Sequence, residues 1–93
     1  MSNEAWNARQ NASTESRRRY ERERLVLWTT ESICEAMEAA EFTKADLAHE
    51  LGTSRANVTS LLNGGRNMTL QTIANVAFAL GMRVRIDFEK PER

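Results

Sequence analysis

The sequence predicts a mainly α fold: one long N-terminal helix, three short capped helices and a single C-terminal β-strand. Three observations predict it. Residues 14–40 contain no Gly or Pro and are dominated by Glu, Arg and Ala, a composition that favours helix. Residues 43–81 carry three separate start signals and three stops. Residues 83–89 (RVRIDFE) alternate polar and apolar without a break, the period of a half-buried strand.

At 93 residues the chain fits one domain with a small core. It is expected to divide into an N-terminal arm over 1–13, a helical body over 14–81 and a C-terminal pairing strand and tail over 82–93. The arm (MSNEAWNARQNAS) is polar and aperiodic apart from Trp6, an exposed aromatic or an anchor. In the long helix Leu25, Trp28, Ile33, Ala36, Met37 and Ala40 make a broken apolar stripe with Cys34 on or beside it. Ser32 and Glu35 fit a capping box, an alternative start, but one continuous helix is expected.

The short helices follow from their caps. Thr43 caps Lys44–Leu51, with Asp46 completing the box and Gly52 ending the helix. Ser54 caps Arg55–Leu62, which Asn63-Gly64-Gly65 ends. Thr69 caps Leu70–Leu80, which Gly81 ends; Leu70, Ile73, Val76, Ala77 and Leu80 mark its buried face. Pro91 closes the strand. A lone strand leaves its backbone groups unpaired, so Val84, Ile86 and Phe88 are expected at a dimer interface, antiparallel to a second copy.

Composition narrows the function. Acids and bases balance at 13 each, so any attraction for phosphates must be local. Six Arg and three Glu lie between Arg9 and Arg24, whereas Glu31–Glu41 holds four Glu and no base. The Arg17–Arg24 run is read as a solvated helix face, with a second DNA patch or an acidic-partner surface as rivals. One cysteine excludes an internal disulfide, and with one histidine also a zinc site of the usual Cys/His kind. No apolar run approaches a bilayer span and no signal peptide is visible, so a soluble cytoplasmic protein without cofactor or metal is expected. No nucleophile–base pair, Gly-rich phosphate loop or apolar-set carboxylate cluster is present, so an enzyme is not expected.

Lys44–Asn63 carries the strongest pattern. Two short helices that cross around a tight turn need a small residue at the crossing, a left-handed residue in the turn and apolar residues where they touch. Ala48, Gly52, Val58 and Leu61 fill those needs at spacings of four, six and three, with Leu47 and Leu51 closing the same core. That is a helix-turn-helix. Its second helix enters the major groove N-terminus first. Arg55 suits a bidentate guanine contact, Ala56 and the Thr59 methyl suit a thymine methyl, and Ser60 accepts either base type. Lys44, Ser54, Asn57, Asn63 and Arg66 are expected to position phosphates, with Gly64 and Gly65 allowing close backbone approach and Asn67 assisting or shaping the turn. His49 is expected to face solvent.

The stretch TKADLAHELGTSRANVTSLLNGGRNMTLQTIANVAFALGM resembles the phage-repressor (Cro/C1, or XRE) helix-turn-helix family over about residues 31–82. The ending resembles small antitoxins of the HigA type and stand-alone repressors. The resemblance implies a lambda-repressor-like bundle of four to five helices in a bacterial or phage-encoded protein. It also implies palindromic operator binding by a homodimer, repression, and often autoregulation. An antitoxin that neutralises a toxin through the N-terminal helix and arm is the alternative. Lys44 departs from the family pattern, standing where Gln is commonest, and the first helix is longer than the minimal domain.

Overall fold

The computed structural model describes residues 4–64 and 68–91, with side chains from Thr14 onward. Among them are four helices: α1 (Glu4–Ala40), α2 (Lys44–Leu51), α3 (Arg55–Gly64) and α4 (Leu70–Ala79). The count falls within the four to five expected. Trp6, as a side chain, and Gly65, Arg66 and Asn67 lie outside the described residues.

α1 is one uninterrupted helix of 37 residues. It starts at Glu4, so residues 4–13 are helical where an arm was expected. At 1.5 Å per residue it spans about 55 Å, and it sets the molecule's longest dimension of 53 Å. The alternative start at Ser32 is not used. Thr29 and Thr30 sit mid-helix without breaking it, because each hydroxyl donates back to a carbonyl one turn earlier, Leu25 O at 2.7 Å and Leu27 O at 2.9 Å.

Only the last third of α1 is part of the core. Ile33 and Met37 are buried there with Leu47 and Ala48 of α2, Val58 and Leu61 of α3, Val76 of α4, and Leu80 just after it. Ala36, Ala40, Phe42 and Leu51 pack around them. α3 rests on α1 and α2, and α2 on α4. Leu47, Val58 and Val76 are essentially inaccessible, each stabilising the fold by about 1.5–3 kcal/mol. The expected stripe stops short: Leu25 and Trp28 are 63% and 57% exposed, and Cys34 is an exposed free thiol. The physical reason is that before Thr30 only one side of α1 borders another element: Arg22, Glu23, Val26 and Leu27 line a groove with Leu62, Asn63 and Gly64 of α3, and Leu25 and Trp28 lie off that side. Of the face expected on the last helix, Val76, Ala77 and Leu80 are buried and Ile73 is half-buried, but Leu70, in the first turn of α4, is exposed.

The three expected N-caps are in place, while α3 runs through Asn63 and Gly64, two residues past its expected end at Leu62. Asp46 N–H donates to Thr43 Oγ1 (3.0 Å) and Thr43 N–H donates to Asp46 Oδ2 (2.9 Å), the reciprocal box. Asn57 N–H donates to Ser54 Oγ and Thr72 N–H to Thr69 Oγ1. Three helices end alike, with a left-handed residue and a bond reaching five residues back. In α2 Gly52 (φ 68°) is followed by Thr53 N–H to Ala48 O at 2.9 Å. In α4 Gly81 (φ 73°) is followed by Met82 N–H to Ala77 O at 2.8 Å. In α1 the same place is held by Glu41 (φ 57°), with Phe42 N–H to Met37 O at 2.8 Å. A left-handed Glu is strained relative to Gly, and the sequence carries no signal for it.

The expected β-strand is not formed. Residues 82–91 have no helix and no ladder partner. The alternation survives as a local feature: Arg85 and Asp87, two apart, form a 3.0 Å ion pair. Val84, Ile86 and Phe88 are exposed, Phe88 at 98%. An extended segment becomes a strand only when another backbone supplies the hydrogen bonds, and no described segment of the chain lies alongside to do so. The expected pairing across a dimer therefore has no support in this fold.

Candidate nucleic-acid interface

The site is built on α3. Its sequence, RANVTSLLNG, splits into two faces by helical spacing. Val58 and Leu61 point into the core. Ala56, Thr59, Ser60 and Asn63, at spacings of three, one and three, lie on the other side; all are exposed except Thr59, which is half-buried. The buried pair fixes the helix by its back, so the outward side chains are held by packing that a ligand does not disturb.

The turn sets where α3 begins. Gly52 reverses the chain in its left-handed conformation, Thr53 N–H satisfies the Ala48 carbonyl, and Ser54 then caps α3. Arg55 is the first residue of α3 and is exposed. A guanidinium at that end stands beside the amides that open the helix, where an anion is favoured. Lys44 occupies the first turn of α2 and is likewise exposed. His49 faces solvent, as expected.

Asp46 stands in the first turn of α2. Its carboxyl is held below the ordinary carboxylate value, first by the Thr43 backbone N–H and then by the Thr43 hydroxyl, with a smaller contribution from His49. Both leading causes are cap bonds, so the acid serves the start of α2.

The expected phosphate contacts divide. Ser54 and Lys44 are exposed at the openings of α3 and α2, and Asn63 is exposed at the far end of α3. Asn57 is tied down: its side-chain amide donates to Thr53 Oγ1 at 2.7 Å. Its first role is to brace the turn, and Thr53 is a residue the sequence reading passed over. The signal was available, since Thr53 and Asn57 stand one helical turn apart. Both border a shallow groove of about 490 Å3 between α3 and α4, which Thr72 and Asn75 also line. At Gly64 a Cβ would meet nothing within 4 Å among the described residues, so no described neighbour demands glycine there. Arg22 of α1 lines a second groove with Leu62, Asn63 and Gly64. The fold thus brings one member of the Arg17–Arg24 run to the end of α3, which periodicity alone did not show.

A short helix braced from behind, opened by a cap and a cation and presented by a tight turn, is the architecture of a DNA-reading helix-turn-helix. The comparison with known families agrees: residues 29–85 match the Cro/C1-type HTH DNA-binding domain. The match spans more than half of the chain, and the protein belongs to that family. No curated protein and no solved structure matches it. No helix among the described residues is long and apolar enough to cross a membrane.

Proposed function

We propose that this protein is a sequence-specific transcriptional repressor that binds a palindromic operator as a dimer and regulates its own promoter. The observation that carries the reading is the outward face of α3, where Arg55, Ala56, Thr59 and Ser60 are displayed over the buried Val58 and Leu61. Arg55 reads guanine through two hydrogen bonds, and Ala56 and the Thr59 methyl make apolar contact with thymine. Lys44, Ser54, Asn63 and Arg66 position the phosphates. A neutral chain with so few bases at the site gains limited affinity from one reader. Two readers on successive major-groove faces, about 34 Å apart, supply the rest.

Selection of bound duplexes from a random pool tests this reading. The expected product is an inverted repeat with half-sites about one helical turn apart. Recovery of unrelated sequences with the starting pool's composition contradicts it.

One observation favours a second reading alongside the first. The exposed apolar residues of α1 before Thr30 are a protein-contact surface, as an antitoxin that neutralises a toxin through this helix requires. A cotranscribed neighbouring reading frame whose product copurifies with this chain supports that reading; a lone regulatory locus opposes it.

A further inference from the structure

We propose that the outer face of α1 is a self-association surface on which a second copy of this chain lies antiparallel. The inference deepens the dimeric reading above by naming the surface that joins the copies.

Arg17, Arg24, Glu31 and Glu38 recur every seven residues, nearly two helical turns, and so form one line along α1. Tyr20, Leu27 and Cys34 recur at the same interval in the gaps, making alternating steps of three and four. All seven side chains are exposed. Thr30, Ile33 and Met37 carry the adjoining face into the chain's own core; Leu27 and Cys34 flank that face, Leu27 bordering a groove with Leu62 and Asn63 of α3, and the charged line lies beyond them on the outward side. Steps of three and four along a largely exposed flank match the spacing of a helix-pairing seam.

The order of the charges chooses the partner and its direction. The line is basic before Leu27 and acidic after it. Within one helix its neighbouring charges stand roughly 10 Å apart along the axis, too far to pair. In a parallel pair like faces like. In an antiparallel pair about a two-fold axis between Leu27 and Trp28, Arg17 meets Glu38 and Arg24 meets Glu31, and symmetry makes each pair twice. The flanks agree: residues 17–24 hold five Arg against two Glu, and residues 31–41 hold four Glu and no base.

The centre of the seam is also where α1 is apolar all round. Leu25, Leu27 and Trp28 are 63%, 58% and 57% exposed. A helix segment apolar on every side is normally covered. Arg24 already reaches over the Trp28 ring, 5.7 Å from its centroid, and holds Glu21 at 3.3 Å. The Glu21 pair is exposed on both sides, so exchanging it for Glu31 of a second copy costs little.

Sedimentation equilibrium of the full chain without DNA tests the proposal, and so separates its failure from failure of the DNA reading. Wild type is expected to dimerise at micromolar concentration. R17E/R24E and E31R/E38R are each expected to weaken the dimer by at least about tenfold. Mixing the two variants restores association as a heterodimer, and the fourfold swap R17E/R24E/E31R/E38R restores the homodimer. Rescue by mixing is an outcome that mere misfolding of the variants cannot produce. A monomeric wild type overturns the proposal. So does a wild-type dimer that both double variants retain, or one that only V84S/I86S/F88S dissociates; the last result assigns the pairing to the C-terminal segment.

Discussion

Residues 14–28 and 30–40 belong to the same helix but do different work. From Thr30 onward, Ile33 and Met37 are buried against α2, α3 and α4. Before Thr30, Tyr20, Leu25, Leu27 and Trp28 stand in solvent. Both stretches hold apolar residues at helical spacing, so periodicity alone predicts a buried stripe through both. The difference lies in what the rest of the chain brings alongside. A pattern states that a face is suited to burial; it does not state which molecule covers it.

The comparison yields predictions of decreasing size. Leu47 is wholly inaccessible at the point where α2 enters the core. Leu47→Ala is expected to cost about 2–5 kcal/mol in chemical denaturation, as deletion of a buried side chain leaves a cavity. An exposed counterpart on α1, Leu25→Ser, is expected to change the stability of the monomer by less than about 0.5 kcal/mol. Equal costs for the two would erase the distinction between the two stretches.

A gain is expected where α1 ends. Glu41 holds the left-handed position that Gly52 and Gly81 hold at the ends of α2 and α4. Glu41→Gly is expected to stabilise the fold by roughly 1 kcal/mol, the strain relieved at a left-handed residue. A loss in thermal unfolding contradicts the assignment.

The smallest effect concerns pH. Asp46 titrates below its ordinary value in the folded chain because Thr43 bonds to its charged form. A depressed folded pKa means stability that is present above the unfolded value and lost as pH falls through the folded one. Comparing wild type with Asp46→Asn, the advantage of the acid at about pH 6 should fade as pH falls through and below the ordinary carboxylate range. An advantage that grows on acidification reverses the sign and contradicts the cap as its source.

Much of the helix-turn-helix was legible because its signals are local. Thr43, Ser54 and Thr69 cap helices by bonds three residues long. Gly52 and Gly81 end helices because they tolerate positive φ. Ala48, Val58 and Leu61 are buried because a tight turn leaves them nowhere else to go. What misled was non-local. Residues 83–89 alternate like a strand, but a strand needs a second backbone, and no described segment of this chain supplies one. Cys34 reads as on or beside the stripe, and at that flanking place its thiol is exposed. Asn57 reads as a phosphate contact, yet Thr53 engages its amide first. At the site, the sequence named the outward residues of α3, while the place of Arg22 beside Asn63 needed the fold.

The most direct test of the account compares Arg55→Ala with Lys44→Ala on a selected operator and on a scrambled duplex of equal length, at fixed salt. Arg55 is assigned to base reading, so its loss is expected to cost about 1–3 kcal/mol on the operator and little on the scramble. Lys44 is assigned to phosphate, so its loss should weaken both duplexes alike. An Arg55→Ala variant that loses the same affinity for both duplexes contradicts the claim that α3 reads sequence.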